Sequence, residues 1–223
     1  MIGLTGGIAS GKSTVAERLR ELGSFIADAD VVSREVIAFP EVLSQIEERF
    51  GRGVFDEDGA LNRRALAKAA LSTDEAAAAL NAIMHPAILA RLDELSHEAE
   101  ASGNYPLVFV DAALLIESGF SSHCDAVWLI TADEEARIAR IIARDGLTYE
   151  EAKERIARQM PDEEKAAYAS TIIENDGNVK DLIEKVDEAF RIELARRNPS
   201  WYEHSPDNDT YIKELTGTYE TDE

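Results

Sequence analysis

The chain has 223 residues, 45% of them hydrophobic, with 44 acidic against 23 basic side chains and a formal net charge of −21. That size and apolar content suit one globular domain with a proper core, while the charge opposes a nucleic acid or an anionic membrane, whose phosphates need lysine and arginine. No apolar run approaches the roughly 20 residues of a bilayer span, no basic segment leads into a long apolar stretch, and the lone Cys124 excludes an intrachain disulfide and a cysteine-rich zinc site; a cytoplasmic protein is expected.

A short apolar strand over Ile2 to Thr5 runs into Gly6-Gly7-Ile8-Ala9-Ser10-Gly11-Lys12-Ser13, which fits the G-x-x-x-x-G-K-[ST] phosphate loop. Glycines let the backbone curl so that successive N–H groups face one anion. Lys12 can then reach the β- and γ-phosphates, and Ser13 can ligate Mg²⁺. Val15, Ala16, Leu19 and Leu22 recur at helical spacing up to Gly23, so the loop opens a helix whose dipole also favours anions. Strand, loop and helix in that order are the context the motif requires.

A second strand over Ser24 to Ala27 ends on Asp28-Ala29-Asp30. Two carboxylates at i, i+2 after a strand leave on the same side. One is expected to cap the next helix and the other, Asp30 by preference, to take the proton of an acceptor hydroxyl in phosphoryl transfer. About seventy residues without a strand follow. Helices are predicted over Pro40 to Phe50 and Asn62 to Leu71. A third starts at the capping box Ser72-Thr73-Asp74-Glu75, and a fourth runs from Pro86 to Ser102 with Ile88, Leu89, Leu92 and Leu95 on one face. Asp56-Glu57-Asp58-Gly59 matches the D-x-x-G switch of GTPases in form, but it lies in this helical insertion and no Asn-Lys-x-Asp occurs, so it reads as a turn.

The third strand, Leu107 to Val110, ends on Asp111, a position suited to organising a metal. After a fourth strand, Ala126 to Thr131, Asp133 caps a helix that breaks at Asp145-Gly146, and the capping box Thr148 to Glu151 opens another. These two charged helices read as a mobile lid. Arg137, Arg140 and Arg144 share one face of the first, where guanidiniums suit a clamp on a transferring phosphoryl group. A fifth strand, Thr171 to Glu174, precedes a final helix carrying Val179, Leu182, Ile183, Val186, Phe190 and Leu194. From Pro199 onward the 25 residues hold seven acids and one lysine, with Trp201, Tyr202, Tyr211 and Tyr219 among them, and read as an acidic, partly disordered tail. His85, His97, His123 and His204 have no metal-ligand spacing, so zinc is not expected. An anionic nucleotide on so acidic a chain needs positive charge gathered locally; Lys12, Arg34, Arg140 and Arg144 are the candidates.

The alternation predicts an α/β fold of the phosphate-loop kind, three layers around a five-stranded parallel sheet, with a helical substrate-binding insertion and a helical lid. The boundaries are core 1–39, 104–132 and 167–198, insertion 40–103, lid 133–166 and tail 199–223. The chemistry predicted is Mg·ATP-dependent phosphorylation of a small molecule. Nucleotides, shikimate and sugar acids are alternative acceptors, and a GTPase-like switch is an alternative of another class. No obligate protein partner is evident.

The set Leu4 to Thr14, Asp28-Ala29-Asp30 with Arg34, Asp58-Gly59 followed by Leu61, Arg63 and Leu66, His85-Pro86, Leu114-Leu115 with Glu117, and Arg140, Arg144-Asp145, Gln159 and Asn175 resembles the dephospho-coenzyme A kinase family in order and spacing. The resemblance runs from Leu4 to about Leu194. It implies a γ-phosphoryl transfer from ATP to the ribose 3′-hydroxyl of dephospho-coenzyme A, the last step of coenzyme A biosynthesis. It also implies that Gly6 and Ala9 to Thr14 hold ATP phosphates and that Asp30 is the base. Arg140 and Arg144 would contact phosphates, Asn175 and Gly177 would approach adenine, and Thr5, Arg34, Arg63, His85 and Glu117 would shape the acceptor site. The chain departs from the family pattern at Ala113, where proline is usual, leaving the backbone after Asp111 less restricted.

Overall fold

The structure, a computed structural model, describes residues 1–200; the aromatic and acidic tail residues beyond, and His204, lie outside it. Five strands, β1 (Ile2–Gly6), β2 (Phe25–Asp28), β3 (Val108–Asp111), β4 (Ala126–Thr131) and β5 (Thr171–Glu174), form a parallel sheet in the order β2-β3-β1-β4-β5. Its central strand β1 pairs Leu4 with Asp111 on one side and with Trp128 on the other. Because parallel strands share a direction, their carboxyl ends lie along one edge, where ligands bind in open α/β sheets. The phosphate loop and Asp111 both leave from that edge.

The core forms because β1 is buried along its whole length and two amphipathic helices cover it. Val15, Ala16, Leu19 and Leu22 from α1 (Lys12–Glu21) and its C-cap join Leu182, Val186, Phe190 and Leu194 of α9 (Val179–Arg197) against Ile2, Leu4, Phe109, Trp128 and Ile130. Phe109 meets Trp128 edge-on at 5.2 Å, the arrangement ring quadrupoles prefer. The same helices are clamped by a two-pronged ion pair, with Arg18 Nε and Nη2 each 2.8 Å from Asp187.

The chain divides into two units, Asp28–Leu95 and the remainder. The first contains α2 (Ala29–Val36), α3 (Pro40–Phe50), α4 (Arg63–Ala70) and most of α5 (Asp74–Ser102). Pro40 starts α3 where its missing N–H is harmless, and Asn62 caps α4 by accepting from Ala65 N. The Asp56 segment is a turn, with Asp56 N bonded to Ala60 O and Gly59 at φ +79°.

The split at Pro86 expected from the sequence does not occur, because α5 continues through it from Asp74 to Ser102. Proline removes one hydrogen bond to the carbonyl four residues back and crowds it, but Met84 and Leu92, on either side, are both buried. Continuing the helix keeps those two side chains inside. The helix begins within one residue of the expected place, but the capping box Ser72–Glu75 does not form: Thr73 is the cap, its Oγ1 accepting from Ala76 N, while Ser72 Oγ donates to Ala69 O.

The charged helices read as a lid carry an apolar core of their own. Ile138 and Ile141 of α6 (Glu134–Asp145) and Ala152 of α7 (Tyr149–Ala157) pack on Ile8 and Ala9 of the phosphate loop, with Leu147 and Ile156 at the margin. The Asp133 cap and the Thr148–Glu151 capping box form as the sequence indicates. A further short helix, α8 (Asp162–Ala166), was not foreseen.

Candidate active site

The phosphate loop is shaped from outside. Arg137 Nε donates to Ile8 O at 3.0 Å, Arg140 Nη1 to Ala9 O at 3.0 Å, and Asn175 Nδ2 to Ser10 O at 2.7 Å. Arg140 Nη2 also reaches Asn175 O at 3.2 Å, and Ile8 N donates to Gln159 Oε1 at 2.7 Å. Three consecutive carbonyls are thus turned outward. Their counterparts, the first N–H groups of α1, have no side-chain cap, and such unsatisfied donors at a helix start form an anion site.

Two glycines are required by what surrounds them. Gly11 sits at φ +100°, and a Cβ there would strike the Asn175 amide. At Gly7 a Cβ would run into the Arg137 guanidinium, which is itself buried. Ala9 carries the positive φ, +62°, that the curled loop imposes, a conformation costing an L-residue about 1–2 kcal/mol and typical of functional loops.

Lys12 lies at the first position of α1 and forms an ion pair with Asp111, which the β1–β3 register brings to the same edge. Asp111 is buried, Lys12 partly exposed, and Ser13 exposed at the mouth of the loop. Thr5 is fully buried, and its hydroxyl donates to Ala113 O at 3.3 Å, so it acts on the turn after β3 rather than at the surface. Glu117, on that turn, stands 3.0 Å from Lys165. Asp162 accepts from Arg137 Nη1 at 3.1 Å; burial pushes its carboxyl above the usual range, against the pull of Arg137 and Lys165. Arg144 is exposed and held by Asp145 through Nε at 2.8 Å and Nη2 at 3.0 Å. Gly177 follows β5, crowded by the carboxylate of Asp181, which closes a capping box with Asn178 at the start of α9. A hollow of about 850 Å³ opens beyond the carboxyl ends of β4 and β5, lined among others by Thr131, Arg137, Gln159 and Asp176.

In the other unit the two aspartates divide their roles. Asp28 caps α2, its Oδ1 accepting from Asp30 N at 2.8 Å and Val31 N at 3.2 Å. Asp30 is exposed and its carboxylate makes no hydrogen bond or ion pair with another described residue. Arg63 Nη2 donates to Arg34 O at 3.1 Å, which brings those two predicted residues together. His85 is exposed midway along α5.

Sequence reasoning grouped Arg137 with Arg140 and Arg144 as a phosphoryl clamp and did not foresee its bonds to Ile8 O and Asp162, and it passed over Asp162 and Lys165. The i, i+3, i+7 arginine spacing was the available signal for the first; nothing in a run of acids marks a buried lysine.

The fork of Arg140 spans two backbone carbonyls, and a lysine offers only one point charge in its place. Arg140→Lys is expected to lower kcat/KM for ATP by about 10²-fold, the scale of one lost charge-stabilising donor. Steady-state kinetics checks this; an unchanged value would remove Arg140 from phosphate handling.

The sequence model of the dephospho-CoA kinase family matches residues 1–181. A dephospho-CoA kinase of Corynebacterium jeikeium is 46% identical over 187 residues, which cover 83% of this chain and 95% of that protein. Among solved structures, TT1252 from Thermus thermophilus has a TM-score of 0.70 at 37% identity, covering 86% of this chain and 96% of its own. A dephospho-CoA kinase from Campylobacter jejuni has a TM-score of 0.67 at 26% identity over the same shares.

Proposed function

The chain belongs to the dephospho-CoA kinase family, and on that premise we propose that Asp30 takes the proton of the acceptor hydroxyl while Lys12 and Arg140 hold the transferring phosphoryl group. The enzyme is a kinase of coenzyme A biosynthesis that phosphorylates dephospho-CoA at the expense of ATP. The hydroxyl phosphorylated is the ribose 3′ one in this proposal, with Arg34, Arg63, His85 and Glu117 recognising the acceptor. In this proposal residues 40–103 make room for its bulk and residues 133–166 form the lid. Arg144 would join the phosphates only after leaving Asp145, and Asn175 and Gly177 would border the adenine.

Mg²⁺ fits the residues available. Among the described residues no group of three or more His, Cys, Asp or Glu side chains could hold a metal; Mg²⁺ asks for less, being held by one or two protein oxygens with substrate phosphates and water. Ser13 and Asp111 are hard oxygen donors at the loop, and the ion would neutralise charge between the phosphates. Phosphoryl transfer leaves the protein little covalent work, so positioning and electrostatics carry the rate.

The observation that carries this reading is the loop whose carbonyls are tied outward by Arg137, Arg140 and Asn175 beside the Lys12–Asp111 pair. The reading is of a cytoplasmic enzyme acting on small anions, and the charge of −21 supports it by opposing a nucleic acid or an anionic membrane as partner. No described helix is long and apolar enough to cross a membrane. The test is an acceptor screen coupled to ADP formation. Dephospho-CoA should support turnover, whereas AMP, shikimate and gluconate should not; comparable turnover with any of these three refutes the acceptor assignment.

A further inference from the structure

Lys165 is the fourth residue of α8 and directly follows Asp162, Glu163 and Glu164, yet it is 0% exposed. A charge run of this kind is ordinarily a solvated face, and lysine is seldom fully buried unless paired. Its ammonium stands 3.0 Å from Glu117 Oε1, but the two are not aligned as a hydrogen bond, and no other described group accepts from it. Glu117 has the opposite situation, its side chain reaching solvent at 21% exposure. The pair therefore has one sealed end and one open end.

Lys165 is also the end of a longer series. Asp162 lies three residues earlier on the same helix, close enough to share a face, and accepts from Arg137 Nη1; Arg137 Nε in turn donates to Ile8 O of the phosphate loop. Four side chains, Arg137, Asp162, Lys165 and Glu117, thus alternate in sign from the phosphate loop to the turn after β3. Each charge is shielded from water on at least one side, where its influence on its neighbour is strengthened.

We propose that Lys165 is a positioning residue for the acceptor, fixing the Glu117 carboxylate in the direction from which it binds dephospho-CoA. This rests on the reading of Glu117 as an acceptor ligand. An ammonium sealed from solvent cannot touch a substrate without the fold opening. It can hold a neighbouring carboxylate in one orientation, so that less side-chain freedom is lost when the acceptor arrives. An exposed glutamate without such a partner would have to be ordered by the substrate itself.

The test compares Lys165→Met, Glu117→Gln and the double variant by steady-state kinetics, varying each substrate with the other saturating. Methionine keeps the length and apolar stem in a slot that water does not reach, and burying an apolar group in place of a charge is generally tolerated. Lys165→Met is expected to raise KM for dephospho-CoA roughly tenfold, as for coupled neighbours, with KM for ATP within about twofold. The double variant should be no worse than Glu117→Gln alone, because both changes remove the same orientation.

If Glu117→Gln raises the acceptor KM and Lys165→Met does not, the proposal falls and the acceptor role of Glu117 stands. If Glu117→Gln leaves the acceptor KM unchanged, that role falls and the proposal with it. Additive losses in the double variant also overturn it. Should Lys165→Met melt too low to assay, Lys165→Gln carries the same comparison; failure of both to fold assigns Lys165 to the fold alone and overturns the proposal.

Discussion

Replacing Lys12 with alanine is expected to abolish phosphoryl transfer, with kcat/KM for ATP falling by at least about 10³-fold, the upper range for removing one group that stabilises charge developing in a transition state. Lys12 opens α1 at the uncapped end of the helix and is paired with Asp111. Its charge is held in place before any nucleotide arrives, so little reorganisation is required at the moment of reaction. In a chain of net charge −21, it is also one of few cations that offset repulsion of a triphosphate. The loss should appear in direct ATP titration by calorimetry as well as in the coupled assay, whichever acceptor is supplied. Thermal unfolding should fall only modestly, because the sheet and the α1–α9 packing do not depend on this side chain. Turnover within tenfold of the parent enzyme would show that the loop is not the phosphate cradle.

Replacing Asp30 with asparagine is expected to lower kcat by about 10²–10⁴-fold, the range for losing a positioned general base, with ATP affinity changed little. Asparagine keeps the size and the hydrogen-bonding reach of the side chain while removing the carboxylate proposed to take the proton. Asp28 supplies the control. Its Oδ1 caps α2, a task asparagine performs as well, so Asp28→Asn should retain most activity, whereas Asp28→Ala should cost about 1 kcal/mol of stability by losing the cap. Measuring kcat, KM and ATP binding for all three separates the roles. A collapse of ATP binding in Asp30→Asn with turnover preserved at saturation would make the base assignment wrong.

The division between Asp28 and Asp30 shows how far local chemistry is legible. A carboxylate directly before a helix is a cap by stereochemistry, and the structure finds Asp28 doing that, so the neighbour two residues on is left with a free carboxylate. The strands were legible for a similar reason: runs such as Leu107 to Val110 and Ala126 to Thr131 are buried on both faces and read as continuous apolar segments. Pro86 misled because a proline weakens a helix without having to end it, and α5 runs through it with Met84 and Leu92 buried on either side. A proline rule describes the backbone alone. Arg137 and Arg144 share one face of α6 in the sequence, yet one is buried against Ile8 O and the other is exposed with Asp145. Periodicity gives a face, and it says nothing of which turn of the helix lies over the loop.

By itself the sequence determined the α/β order of elements, the phosphate loop with Lys12 and Ser13, the capping box at Thr148–Glu151 and the pairing of a capping with a free aspartate, because each of these depends on residues within one or two turns of each other. Only the tertiary structure decided which carbonyls of the loop Arg137, Arg140 and Asn175 draw outward, that Asp111 meets Lys12, and that Lys165 is sealed beside Glu117. Those contacts join residues from 48 to 165 positions apart, and they are set by the strand order of the sheet and the packing of α6 and α8, which no local pattern encodes.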